Sequence, residues 1–121
     1  MSKEIRQMID KVKLFKQFIN KKVTTHIDDI YIKYETSDKK AYADIEKTSN
    51  DTWHISLIES RRKGGGTELM QKIISDAKIQ GIKKITLTTT EQSGWGFFDK
   101  FGFVEVGDNN DPFDIPMILY V

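Results

Sequence analysis

The sequence predicts an α+β fold in which a mixed, mostly antiparallel sheet is flanked by helices. Three observations carry this. Apolar and polar residues alternate in three successive stretches, the mark of half-buried strands. Two other stretches follow the 3.6-residue period of amphipathic helices. Two strand-like stretches also flank a helical one of about four turns, the layout of a right-handed crossover that sets its strands parallel and adjacent. At 121 residues the chain is expected to form one domain over residues 1–121.

From Lys3 to Asn20, the residues Ile5, Met8, Ile9, Val12, Phe15, Phe18 and Ile19 recur at spacings of three, four and seven, which predicts a helix with one apolar face. Alternation follows in Ile30, Ile32 and Tyr34, then Ala41, Ala43 and Ile45, then Trp53, Ile55 and Leu57. The breaks TSDKK and KTSND are rich in turn formers, so these three segments read as an antiparallel meander. Thr67–Gln80 regains the helical period through Leu69, Met70, Ile73, Ile74 and Ala77, with Gly81 placed to end it. KKITLTTT reads as a strand with Ile85 and Leu87 inward, and SGWGFFDKFGF as one or two helical turns closed at Gly102. FVEV and IPMILYV are the last strands, joined by the loop GDNNDPFD.

Composition narrows the function classes. The chain is 38% hydrophobic and 31% charged with a formal net charge of +1, which fits a globular protein and argues against a nucleic-acid partner. It has no cysteine, which excludes disulfides, zinc-thiolate sites and a cysteine nucleophile; no metal site is expected. The amino terminus has no uninterrupted apolar run of the length a signal peptide or membrane span requires, so no membrane partner is expected and the expected compartment is the cytoplasm.

The stretch SRRKGGGTEL, Ser60–Leu69, carries the chemistry. All eight glycines fall between Gly64 and Gly107, and three are consecutive here. A strand that ends in a glycine turn and runs straight into a helix presents unpaired N–H groups at the positive end of the helix dipole, an anion site most often used for phosphate. Arg61 and Arg62 add charge and forked donors. The run does not fit G-x-x-x-x-G-K-S/T, and Leu69 stands where G-x-G-x-x-G needs its last glycine. A solvated turn with a charged rim is an equal reading from physics alone.

Arg61-Arg62-Lys63-Gly64-Gly65-Gly66 resembles the R/Q-x-x-G-x-G/A signature of the GNAT-type N-acetyltransferases, and Thr67 with Leu69 and Met70 opens the helix in a similar way. GWGFFDKFGFVEVG, Gly94–Gly107, is similar to the family's A-x-x-F-Y-x-x-x-G-F segment at Phe97, Gly102 and Phe103. The resemblance implies a GNAT-like sheet with a splayed parallel strand pair, Trp53–Ser60 and Lys84–Thr90, and acetyl-CoA as co-substrate in the opening. It implies that the pantetheine arm pairs with the first of these strands around Leu57 and Ile58, and that the pyrophosphate rests on the amides of Arg62, Lys63, Gly64, Gly65, Gly66 and Thr67. Arg61 fills the signature's first position, and Phe98 and Lys100 would flank the far side of the cofactor. Side-chain identity at Lys63 and Gly65 is expected to matter less than at Gly64 and Gly66.

The implied activity is acyl transfer from acetyl-CoA to a primary amine of a small molecule or protein. The other reading is a GNAT-like module that binds CoA with little or no turnover. Three departures limit the functional claim, and the first two are the signs of that second reading. The family's tyrosine, proposed to protonate the leaving thiolate, is replaced by Phe98, for which Ser93 or water would have to substitute. The first strand is missing, as in an N-terminally trimmed member, and an unpaired strand around Ile30–Tyr34 would favour a homodimer. The acceptor site is poorly marked: Glu59 is the candidate base by resemblance and His54 by its intrinsic pKa near neutrality, yet either also reads as an ordinary strand residue. His26 has no neighbours that suggest a role. The aspartates of Asp108–Asp114 could attract a cationic amine or simply make a turn.

Overall fold

The computed structural model describes residues 23–27, 29–107 and 111–121, so the helix expected over Lys3–Asn20 lies outside the described residues. The elements run β1 (Val23–Ile27), β2 (Tyr31–Thr36), β3 (Ala41–Lys47), β4 (Thr52–Ser60), α1 (Gly65–Ile79) and β5 (Lys84–Thr89). A π turn, Glu91–Trp95, then leads into the short helix α2 (Gly96–Asp99), followed by β6 (Val104–Glu105) and β7 (Ile115–Tyr120). The strands form one sheet in the order β1-β2-β3-β4-β5-β7-β6. The β4/β5 pair is parallel and every other neighbour is antiparallel, as the crossover argument requires.

The sheet corrects one expectation. Val23–Ile27 forms a strand in front of the meander and pairs with β2 from Val23↔Thr36 to Ile27↔Ile32. The strand thought to be missing is therefore present in this sense, and β2 is not an unpaired edge. The argument for a homodimer that rested on that edge falls with it.

The core forms where the periods predict except at Ile30, which is exposed before β2 begins, and Leu57, which an extra residue in β4 turns off the core face. Ile32 and Tyr34 of β2, Ala41, Ala43 and Ile45 of β3, Trp53 and Ile55 of β4, and Ile85 and Leu87 of β5 are buried on one face of the sheet. Leu69, Met70, Ile73 and Ala77 of α1 close over them. Helix α1 ends at a left-handed glycine: Gly81 has φ +76, its N–H donates to the Lys78 carbonyl at 3.2 Å, and that of Ile82 donates to Ala77 at 2.9 Å. The helix begins two residues earlier than its apolar stripe, because Gly65 and Gly66 are already helical.

One polar group of three is buried between α1 and the sheet. Lys72 Nζ lies 2.9 Å from Asp76 Oδ1, one turn along the helix, and the Tyr34 hydroxyl donates to Asp76 Oδ2 at 2.9 Å. Burial, reinforced by the Asp76 carboxylate, holds the Tyr34 phenol well above its usual range. Breaking such a pair strands a buried charge, whereas replacing both partners with apolar groups does not. Asp76→Ala should therefore lower unfolding stability by about 3 kcal/mol, and Asp76→Leu combined with Lys72→Met should recover most of that loss, as read from urea denaturation midpoints.

Candidate active site

Strands β4 and β5 pair side by side from Thr52↔Lys84 to Ile55↔Leu87, and there the ladder stops. Both strands continue, β4 to Ser60 and β5 to Thr89. The cause lies on the other edge of β4, where Asp44 is opposite Leu57 while the next pair is Ile45↔Ile55. Ser56 is thus an extra residue, and such a bulge bends its strand. The Ser56 hydroxyl donates to the Asp44 carbonyl at 3.1 Å and steadies the distortion. The parallel pair is therefore splayed, as expected.

Between the splayed ends lies a cavity of about 600 Å³. Leu57, Ile58, Glu59 and Ser60 line one side, and Leu87 with Thr88–Thr90 the other; Phe97, Phe98 and the glycine turn close the ends. Backbone direction in β4 follows from one bond. The Arg61 N–H donates to the Lys40 carbonyl at 2.7 Å, so alternation turns the backbone groups of Leu57 and Glu59 toward β3 and those of Ile58 and Ser60 into the gap.

The three glycines have different duties, and this corrects the expectation that Gly65 matters least. Gly64 has φ +83 and makes the turn; a β-carbon there would meet only Arg62 Nη1, at 3.9 Å. Gly65 is buried, and a β-carbon would collide with Ser60 Oγ and sit 2.7 Å from the Ala41 Cβ. At Gly66 the β-carbon would lie 3.0 Å from Cζ of Phe97, on α2. Gly64 is the N-cap of α1 and no side chain caps the helix, so its first-turn amides face the cavity end without a side-chain partner.

Arg62 lines the cavity, but its fork is engaged. Nε donates to Asp38 Oδ2 at 2.5 Å and Nη2 to Glu68 Oε2 at 2.8 Å, tying the β2–β3 turn and the first turn of α1 to the glycine turn. Both carboxylates raise the Arg62 pKa further above its already high value, chiefly through the hydrogen bonds to Glu68 and Asp38. Arg61 and Lys63 are exposed and do not line the cavity; nor does Lys100, exposed at the end of α2.

Of the candidate catalytic groups, Glu59 lines the cavity and accepts from the Tyr42 hydroxyl at 2.6 Å; that bond is the leading reason the Tyr42 phenol is shifted upward. His54 sits before the splay, on the paired part of β4, with Nδ1 2.8 Å from Thr86 Oγ1, and is not brought to the cavity. The side chain of Ser93 lies outside the described part of the structure, as does Asp108. Phe98 is buried at the cavity wall and meets Phe97 and Phe103 edge-on, with centroids 5.1 and 5.7 Å away. Phe113 was not singled out from sequence, yet it is 76% exposed and lines the cavity; a large aromatic in a turn-rich loop was the available signal. Among the described residues no group of three His, Cys, Asp or Glu could hold a metal, and no helix is long and apolar enough to cross a membrane.

A mixed sheet with a splayed parallel pair, a glycine turn and a crossover helix defines a class. The profile described as the acetyltransferase (GNAT) family matches residues 41–103, just over half of the chain, and the chain belongs to that family. No curated protein sequence matches it. Solved structures share the fold at low identity. Ard1 from Thermoplasma volcanium is 21% identical with a TM-score of 0.61, over 77% of this chain and 71% of that one. The ribosomal-protein-S18-alanine N-acetyltransferase from Escherichia coli is 16% identical with a TM-score of 0.64, over 85% and 83%. An aminoglycoside 6'-N-acetyltransferase complexed with coenzyme A is 16% identical with a TM-score of 0.64, over 77% and 74%.

The ties around the glycine turn respond to acid. Hydrogen bonds from the Thr36 hydroxyl and the Lys40 amide, with help from Arg62, lower the Asp38 carboxyl from 3.8 to about 2. Its folded value is depressed, so its stabilising contribution is present above about pH 4 and is lost as pH falls toward 2. Asp38→Asn should be less stable than wild type near pH 7, and the gap should close on acidification to pH 2 in parallel urea titrations.

Proposed function

We propose that the protein is an acyl-CoA-dependent N-acyltransferase that uses acetyl-CoA and acylates a primary amine. The observation that carries this is the cavity between β4 and β5, which runs from the bulge at Ser56 to the uncapped start of α1. The residues present fit CoA. The amides of Gly65, Gly66 and Thr67 at the positive end of α1 suit a pyrophosphate, and Gly64 leaves the approach open. The gap-facing backbone of Ile58 and Ser60 offers an unpaired strand edge to the amide groups of a pantetheine arm. Leu87, Phe97 and Phe98 supply apolar wall.

Acetyl-CoA supplies a thioester, an acyl group already activated for attack. The chain's part is to align it with the amine in a site where the strands exclude water on both sides. The amine nitrogen bonds to the acyl carbon, the carbon–sulfur bond breaks, and the amine proton passes to Glu59 or an ordered water. Tyr42 fixes the Glu59 carboxylate through its hydroxyl. Phe98 has no proton to give, so the departing thiolate takes one from solvent; a thiol with a pKa near about 8.5 leaves tolerably without help. Arg62 acts as a brace for the turn, held by Asp38 and Glu68, with Arg61 as the freer charge.

A second reading, a CoA-binding module without turnover, is favoured by Phe98 alone, since a lost general acid is typically worth about 10² to 10⁴ in rate. Calorimetry with acetyl-CoA followed by a thiol-release screen over primary amines separates the two: binding with release supports the enzyme, binding with none across a broad panel supports the module, and no binding removes both. Asp and Asn both tolerate a left-handed backbone, which allows a charge test at the turn. Gly64→Asp should weaken CoA binding about a hundredfold, about 2.8 kcal/mol, whereas Gly64→Asn should weaken it less than tenfold, with the thermal midpoints of the two variants alike.

A further inference from the structure

A second cavity, of about 480 Å³, opens on the sheet face opposite α1, and it meets the first at the bulge. Ser56 lines both. The rest of its lining includes His26, Ile27, Tyr31, Lys33 and Asp44. Three of these form a row of direct cross-strand neighbours, His26↔Lys33 and Lys33↔Asp44, and the row continues as Asp44↔Leu57 into the wall of the first cavity. Strands lie about 4.8 Å apart, so Asp44 stands about one strand from the bulge, Lys33 about two and His26 about three.

The charges in this row are arranged in an unusual way. Lys33 and Asp44 face each other across β2 and β3, a position where opposite charges commonly pair. Among the described residues they make no ion pair with each other, and none with any other group. Asp44 is half-buried, while Lys33 and His26 are exposed. A carboxylate nearest the bulge, a cation farther out and the apolar ring of Tyr31 on the same face match the three parts of one ligand type.

We propose that this second cavity is the acceptor subsite and takes an amine that also carries a carboxylate, an amino acid with an apolar side chain. The proposal rests on the acyltransferase reading and adds its substrate class. Asp44 holds the ammonium next to the bulge, where the opening toward the thioester lies; Lys33, with His26 beyond it, receives the carboxylate; Tyr31 covers the side chain. A polyamine or a carboxylate-free amine would leave Lys33 as a repelling charge, so the row selects against such acceptors.

The test uses the full chain saturated with CoA, which cannot transfer an acyl group, titrated with leucine and with leucine methyl ester while amide and side-chain resonances are followed. Leucine should shift Lys33, Asp44 and Ser56 and bind at least tenfold tighter than its ester. Lys33→Met should bring leucine down to the affinity of the ester, and Asp44→Asn should weaken both ligands; CoA affinity of each variant, measured by calorimetry, reports that the fold is kept. Equal binding of leucine and ester, shifts confined to other residues, or indifference to Lys33→Met would overturn the subsite while leaving CoA binding and the acyltransferase reading in place. Failure of wild type to bind CoA at all would instead overturn the reading on which the subsite rests.

Discussion

The site depends on one extra residue in one strand. Ser56 breaks the register of β4 against β3, the strand bends, and the ladder to β5 ends at Ile55↔Leu87. A strand edge opened inside a sheet is costly because buried backbone groups need partners. Part of the cost is met internally, by the Ser56 hydroxyl on the Asp44 carbonyl. The remainder is left at Ile58 and Ser60, facing a cavity, and an edge kept open there is suited to a ligand that can hydrogen-bond like a strand. The aromatic group of Phe97, Phe98, Phe101 and Phe103 props the far wall, and Gly94 lets α2 close down, since a β-carbon there would meet Thr89 Oγ1 and the Phe98 ring.

The glycine turn is built with equal economy. Gly64 turns the chain, Gly65 seats the start of α1 against Ser60 and Ala41, and Gly66 seats Phe97 of α2 against α1. The amino-terminal end of the helix is thereby fixed to both β4 and the opposite wall. Arg62, bonded to Asp38 and Glu68, adds a third anchor to the β2–β3 turn. A cradle held from three sides loses little further freedom when a ligand arrives, which favours binding.

Most of this fold was legible in the sequence because period and burial agree. Strands β2 to β5 and helix α1 show clean alternation or a clean stripe, and most of their buried residues are apolar, with Lys72 and Asp76 of α1 and the strand threonines Thr36, Thr52 and Thr89 as the exceptions. Strand β1 was not legible: VTTHI is five residues long and has no buried position, so no apolar alternation marks it, and pairing with β2 holds it in place. The bulge was hidden because Ile55, Ser56 and Leu57 read as ordinary alternation, while only the partner strand reveals the extra residue. The motif GGG announced a turn into a helix, yet which glycine served which structural purpose depended on Ser60, Ala41 and Phe97. Likewise the pairing of Arg62 with Asp38, 24 residues away, which occupies its Nε, could not be read from the sequence. Glu59 lines the cavity, whereas His54, equally plausible as a base by its chemistry, lies before the splay.

The central claim is that the open edge of β4 receives the arm of an acyl-CoA. Backbone amide hydrogen exchange, resolved by residue with and without acetyl-CoA, addresses it most directly, because alternation separates gap-facing from sheet-facing amides within four consecutive residues. The account predicts that acetyl-CoA slows exchange at Ile58, at Ser60 and in the first turn of α1, and leaves Leu57 and Glu59, already bonded to β3, little changed. Unchanged exchange at Ile58 and Ser60 under saturating ligand, or protection confined to another surface, would contradict it.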